Sequence, residues 1–193
     1  QDLALDLLDN PDQVKALLER LQPDYYKVYD FWYEKLHGAG QPITSWLELA
    51  CKDKYYIPSN DFAGMISTKM YKEFFLKGIM DECNFLDRSI YHLDGPGALR
   101  HLDTILDIPR LGAIQWVPGA GREGFSKWVA VYQKIQAAGK GIFVYCDVAD
   151  LELLMQTLTP TGLAIWVEGI AEVEMGERVL TALEKWTLHS IRK

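Results

Sequence analysis

The chain has no basic excess, no long apolar run and no cysteine framework, and each absence excludes a class of function. Lys and Arg number 20 against 27 Asp and Glu, a formal net charge of −7. Phosphate is repelled by that charge and no basic stripe offsets it, which argues against a nucleic-acid or anionic-membrane binder. No apolar run nears the roughly 20 residues that a bilayer crossing demands. The three cysteines, Cys51, Cys83 and Cys146, are odd in number, far apart and without a C-x-x-C pair. No disulfide framework is expected, and a reducing cytoplasm is the expected compartment. With no low-complexity linker or solenoid repeat, residues 1–193 read as a single domain. Gln1-Asp-Leu opens straight into an amphipathic pattern, which reads as no signal peptide. The missing initiator Met predicts a part of something longer.

What is present is an ordinary globular composition, 49% hydrophobic and 24% charged. Leu5, Leu8, Val14, Leu17, Leu18 and Leu21 predict helix over 3–21, broken near Asn10-Pro11. Pro23-Asp24 starts a second helix to about His37, rich in Tyr and Trp, so residues 1–40 form a helical N-terminal segment. Residues 43–49 and 55–59 read as strands, and Ser67 caps a helix to about Leu86. Strand patterns near 89–92, 113–117, 141–146 and 163–167 then alternate with helical ones near 97–107, 123–138, 148–157 and 171–188. That spacing predicts an α/β fold with a parallel sheet and crossover helices.

In such folds the site lies at the carboxyl ends of the strands. Those ends carry His92 and Asp94, then Gln115 and Trp116, then Cys146 and Asp147, then Glu168, with Asp61 after the 55–59 pattern. In Tyr91-His-Leu-Asp-Gly-Pro-Gly97 the glycines permit a sharp turn and Pro96 suits a first helical position. His92, Asp94 and Cys146 offer nitrogen, oxygen and sulfur ligands that zinc accepts, and an open site could activate a substrate thiol. Without metal, His92 and Asp94 form an acid–base pair. The plainer alternatives are a structural His92, an N-capping Asp94 and a core Cys146. His101 and His189 read as surface residues on helices. Gly119-Ala-Gly-Arg-Glu-Gly124 matches G-x-G-x-x-G, with Asp147 further on, so NAD binding is one reading and a plain glycine turn the other. Arg122 could pair with a substrate carboxylate or phosphate.

Three stretches resemble the uroporphyrinogen decarboxylase superfamily, in its divergent bacterial branch. They are Asn60-Asp-Phe-Ala-Gly-Met-Ile-Ser67, Leu86-Asp-Arg-Ser-Ile-Tyr-His-Leu-Asp-Gly-Pro-Gly-Ala98 and Ala113-Ile-Gln-Trp-Val-Pro-Gly-Ala-Gly121. The resemblance implies a (β/α)8 TIM-type barrel, of which this chain would be an incomplete, C-terminal portion with five or six strands. It implies decarboxylation of tetrapyrrole acetates, or methyl transfer among corrinoids, thiols and methylamines. Zinc methyltransferases of this group carry His-x-Cys where this chain has His92-Leu93-Asp94, so His92 and Cys146 carry over as ligands and Asp94 as a substitute. The arginine-containing motif of the true decarboxylases has no match.

These readings give methyltransferase-like chemistry on a tetrapyrrole, corrinoid or thiol as the leading expectation. His92, Asp94 and Asp61 would be catalytic, and His92, Asp94 and Cys146 would hold zinc. Gln115, Trp116, Arg122, Asp147 and Glu168 would bind a small-molecule substrate. Decarboxylation, an NAD-dependent oxidoreductase and a non-catalytic assembly module are the competitors. Open sheet edges would need the rest of the barrel or a partner chain, such as a second copy, to cover them.

Overall fold

The computed structural model describes residues 2–119 and 123–191. The chain divides into two compact units, Gln1–Gly112 and Ala113–Lys193. Each is α/β, with parallel strands joined by helical crossovers.

The first unit opens with α1, Asp2–Asp9, and α2, Pro11–Gly38. The break at Asn10 falls where expected, but α2 runs unbroken through Pro23. An interior proline forfeits a backbone hydrogen bond and costs about 3 kcal/mol. Burial offsets it, because Tyr25, Tyr26 and Tyr29 pack on Phe85 at ring separations of 6.3, 4.5 and 5.4 Å. A short hairpin follows, β1 (Ile43–Thr44) with β2 (Ala50–Cys51). The expected strand over 43–49 ends early because the chain reverses through Glu48, whose φ is +46°.

β3, Tyr55–Tyr56, pairs in parallel with β4, Arg88–Asp94. Tyr29 caps the free side of β3. Its hydroxyl donates to the Tyr55 carbonyl at 2.9 Å and accepts from the Tyr55 amide at 2.8 Å. The crossover holds a 3-10 turn (Asp61–Met65), α3 (Thr68–Met70), a π turn (Tyr71–Phe75) and α4 (Leu76–Phe85). Ser67 caps α3 as expected, accepting from the Met70 amide at 3.2 Å.

The turn after β4 needs its glycines. Gly95 has φ +75°, and a Cβ on Gly97 would sit 2.8 Å from the Gly64 carbonyl oxygen. The chain continues as a 3-10 helix, Pro96–His101, into α5, Leu102–Leu106. Three residues per turn put Ala98 and His101 on one buried side. His101 is therefore a core residue rather than a surface one. Its Nε2 lies 2.8 Å from the Ala63 carbonyl, and its ring stacks on Tyr71 at 4.6 Å.

In the second unit β5 (Ala113–Val117), β6 (Gly141–Asp147) and β7 (Leu163–Glu168) form parallel pairs. A 3-10 turn (Phe125–Trp128) and α6 (Val129–Ala137) cross from β5 to β6. Another 3-10 turn (Val148–Asp150) and α7 (Leu151–Thr157) cross to β7, and α8 (Val173–Ile191) closes the chain. Ile114, Trp116, Ile142, Val144, Ile135 and Leu154 are buried between strands and helices. Among the described residues no helix is long and apolar enough to cross a membrane.

Candidate functional site

Alternation along β4 decides which side chains reach a usable surface. Ser89, Tyr91 and Leu93 are buried. They point at the helices, where Tyr71 donates its hydroxyl proton to Tyr91 at 3.1 Å. Ile90, His92 and Asp94 occupy the other face. Parallel pairing continues to the strand end through a Ser59–His92 bridge, with the His92 amide donating to the Pro58 carbonyl at 3.0 Å. That bridge brings Asp61, two residues past Ser59, over the imidazole.

Asp61 Oδ1 lies 4.0 Å from His92 Nε2, with the imidazole 17% exposed and the carboxylate 73% exposed. The distance suits an ion pair with imidazolium and is too long for a direct hydrogen bond. Trp46, from the hairpin turn, presents its ring edge-on to His92 at 6.0 Å and to Tyr56 at 5.9 Å. Asp94 is exposed on the same face as His92. Gly95, rather than Asp94, holds the N-cap position of the 3-10 helix that follows. His92, Asp61 and Asp94 thus gather at one strand end of the first unit.

In the second unit the register sorts the expected residues onto two faces. Gln115 is beside Phe143, Tyr145 beside Trp166, and Asp147 beside Glu168. Gln115 is buried and donates its amide to the Tyr145 hydroxyl at 3.0 Å. Asp147 caps the turn that follows it, accepting from the Ala149 amide at 2.9 Å. Gly169, at φ +78°, leaves room for it, since a Cβ there would lie 3.0 Å from Asp147 Oδ2. Glu168 is exposed.

Trp116 and Cys146 lie on the opposite, helix-covered face. The Trp116 ring meets Trp128 at 5.1 Å. The Cys146 thiol is buried and donates to the Asp147 carbonyl at 3.3 Å. Burial, then the charges of Asp150 and Asp147, push it up to about 12, so it stays a thiol at neutral pH. Arg122, like the centre of the 119–124 glycine run, falls outside the described residues.

The expected zinc set does not fit this arrangement. Cys146 is buried on the helix-covered face. Among the described residues no three of His, Cys, Asp and Glu are grouped to hold a metal ion. Trp46, Tyr56, Tyr145 and Trp166 were not anticipated at these surfaces. The alternation of Phe143 and Tyr145 with Ile142, Val144 and Cys146 was the available signal for Tyr145. No family model, curated protein or solved structure matches the chain.

Proposed function

We infer that this chain belongs to an α/β-barrel enzyme of the uroporphyrinogen decarboxylase type that works by proton transfer at the carboxyl end of β4. The observation that carries the reading is the 4.0 Å His92–Asp61 pair on the strand face turned away from the helices. An imidazolium is the proton-donating form of a histidine.

Decarboxylation of a porphyrinogen-type acid uses those groups. The C–CO2 bond breaks, CO2 leaves, and the electron pair left on the methylene carbon takes the imidazolium proton to give a methyl group. Water then returns a proton to His92. Asp94, exposed on the same face, accepts hydrogen bonds from substrate pyrrole N–H groups. The burial of Cys146 counts against zinc-assisted methyl transfer to a thiol from a corrinoid. The exposure of Asp94 counts against a non-catalytic assembly module.

The test is turnover of uroporphyrinogen in deuterated water, with products read by chromatography and mass spectrometry. One deuterium in each new methyl group is the expected result. Zinc-dependent methylation of a thiol, with no CO2 released, would overturn the reading.

A further inference from the structure

Between α2 and the helical crossover lies a cavity of about 460 Å³, within the range of small-molecule sites. Its apolar wall comes from Leu18, Phe74, Phe75 and Ile79. The π turn adds a residue to the helix there, with the Leu76 amide reaching back to the Tyr71 carbonyl, and such turns recur at functional sites.

Three polar residues line the same cavity: Glu82, Tyr25 and Asn60. The Tyr25 hydroxyl and the Asn60 nitrogen are buried without a hydrogen-bond partner. Buried polar groups are ordinarily paired, and leaving one unpaired costs about 1–3 kcal/mol. Burial raises the Glu82 carboxyl to about 7, so its charge has no local compensation. At the mouth, Lys15 pairs with Glu73 at 2.8 Å and sits 5.0 Å over the Phe74 ring, so a cation already rests on this wall.

The donor–acceptor inventory fixes the ligand class. The Asn60 nitrogen only donates and asks for an acceptor. Ionised Glu82 only accepts and asks for a charged donor. We propose that this cavity binds a small amphipathic amine, a cation with an aromatic or apolar body and one hydroxyl or carbonyl acceptor. The ammonium sits on Glu82, the acceptor on Asn60, and the apolar body against Phe74 and Phe75. Neither His92 nor Asp61 lines this cavity, and the proposal does not depend on the reaction assigned to them.

The probe is 2-amino-1-phenylethanol, titrated calorimetrically into the 193-residue chain. 1-Phenylethane-1,2-diol and mandelate serve as its neutral and anionic counterparts. The amine is expected to bind saturably, at least tenfold tighter than either counterpart, and Glu82→Gln is expected to lose at least tenfold in affinity. In the unmodified protein the affinity should rise about tenfold from pH 6 to pH 8 as Glu82 ionises. The groups facing Glu82 are Tyr25 and Tyr26 on α2, Tyr71 in the π turn and Tyr91 on β4. Burial raises all four, so they stay neutral over this range. Lys15, Glu19, Glu73 and Lys77 line the mouth. Equal affinity for the diol, tighter mandelate binding, a pH-independent affinity or no saturable binding would each overturn the proposal, and none of the four needs a variant.

Discussion

Single residues decide the turn after β4. Gly95 and Gly97 were legible as turn glycines, because Asp-Gly-Pro-Gly admits few other conformations. What the sequence did not reveal is that Gly97 is pressed against the backbone of a segment 33 residues earlier. A Cβ at 2.8 Å from the Gly64 oxygen cannot be accommodated without moving backbone. Gly97→Ala is expected to cost on the order of 1–3 kcal/mol, read as a lower denaturation midpoint with an unchanged slope. A midpoint equal to that of the parent would show that the turn relaxes freely. The same limit explains His101 and Cys146. Their residue types suited several roles, and only the direction in which each side chain points separates them.

At the element scale, the strands and crossover helices of the later chain lie where hydrophobic runs and turn residues placed them. Their faces were hidden. β6 reads Gly-Ile-Phe-Val-Tyr-Cys-Asp, apolar at nearly every position, so no polar alternation marks which residues meet the helices. Residues at strand ends were therefore grouped by position alone, which put Trp116 and Cys146 with Gln115 and Asp147. Proline was over-read in α2, where aromatic packing on Phe85 outweighs one lost hydrogen bond.

The contact between α2 and α4 also carries a pH signature. Glu82 titrates near 7 when folded and near the ordinary 4.5 when unfolded. The folded chain therefore holds the proton more tightly. Stability from this group is full below about 4.5, falls as pH rises towards 7, and is flat above that. Glu82→Gln removes the penalty. The variant is expected to be more stable than the parent above pH 7, by on the order of 2 kcal/mol. That advantage should shrink to nothing near pH 4.5, as followed by urea denaturation at several pH values. An advantage independent of pH would mean that Glu82 stays ionised in the fold.

At the scale of the whole molecule, alternating strands and helices predicted parallel α/β architecture, and both units have it. The chemistry was less legible, because a site depends on which strand faces are free. His92 and Asp61 are far apart in sequence and meet through the Ser59–His92 bridge, a pairing that no local pattern announces. Cys146 looked like a third member because thiols are common metal ligands, and its burial reverses that inference.

In the proposed reaction His92, paired with Asp61, moves the proton while Cys146 supports the fold. Steady-state turnover of uroporphyrinogen by His92→Gln and Cys146→Ser, measured side by side, tests this most directly. His92→Gln should lower kcat by roughly 100-fold or more, and Cys146→Ser should leave it within about threefold once folding is matched by circular dichroism. The opposite pattern, an active His92→Gln and an inactive, folded Cys146→Ser, would contradict it.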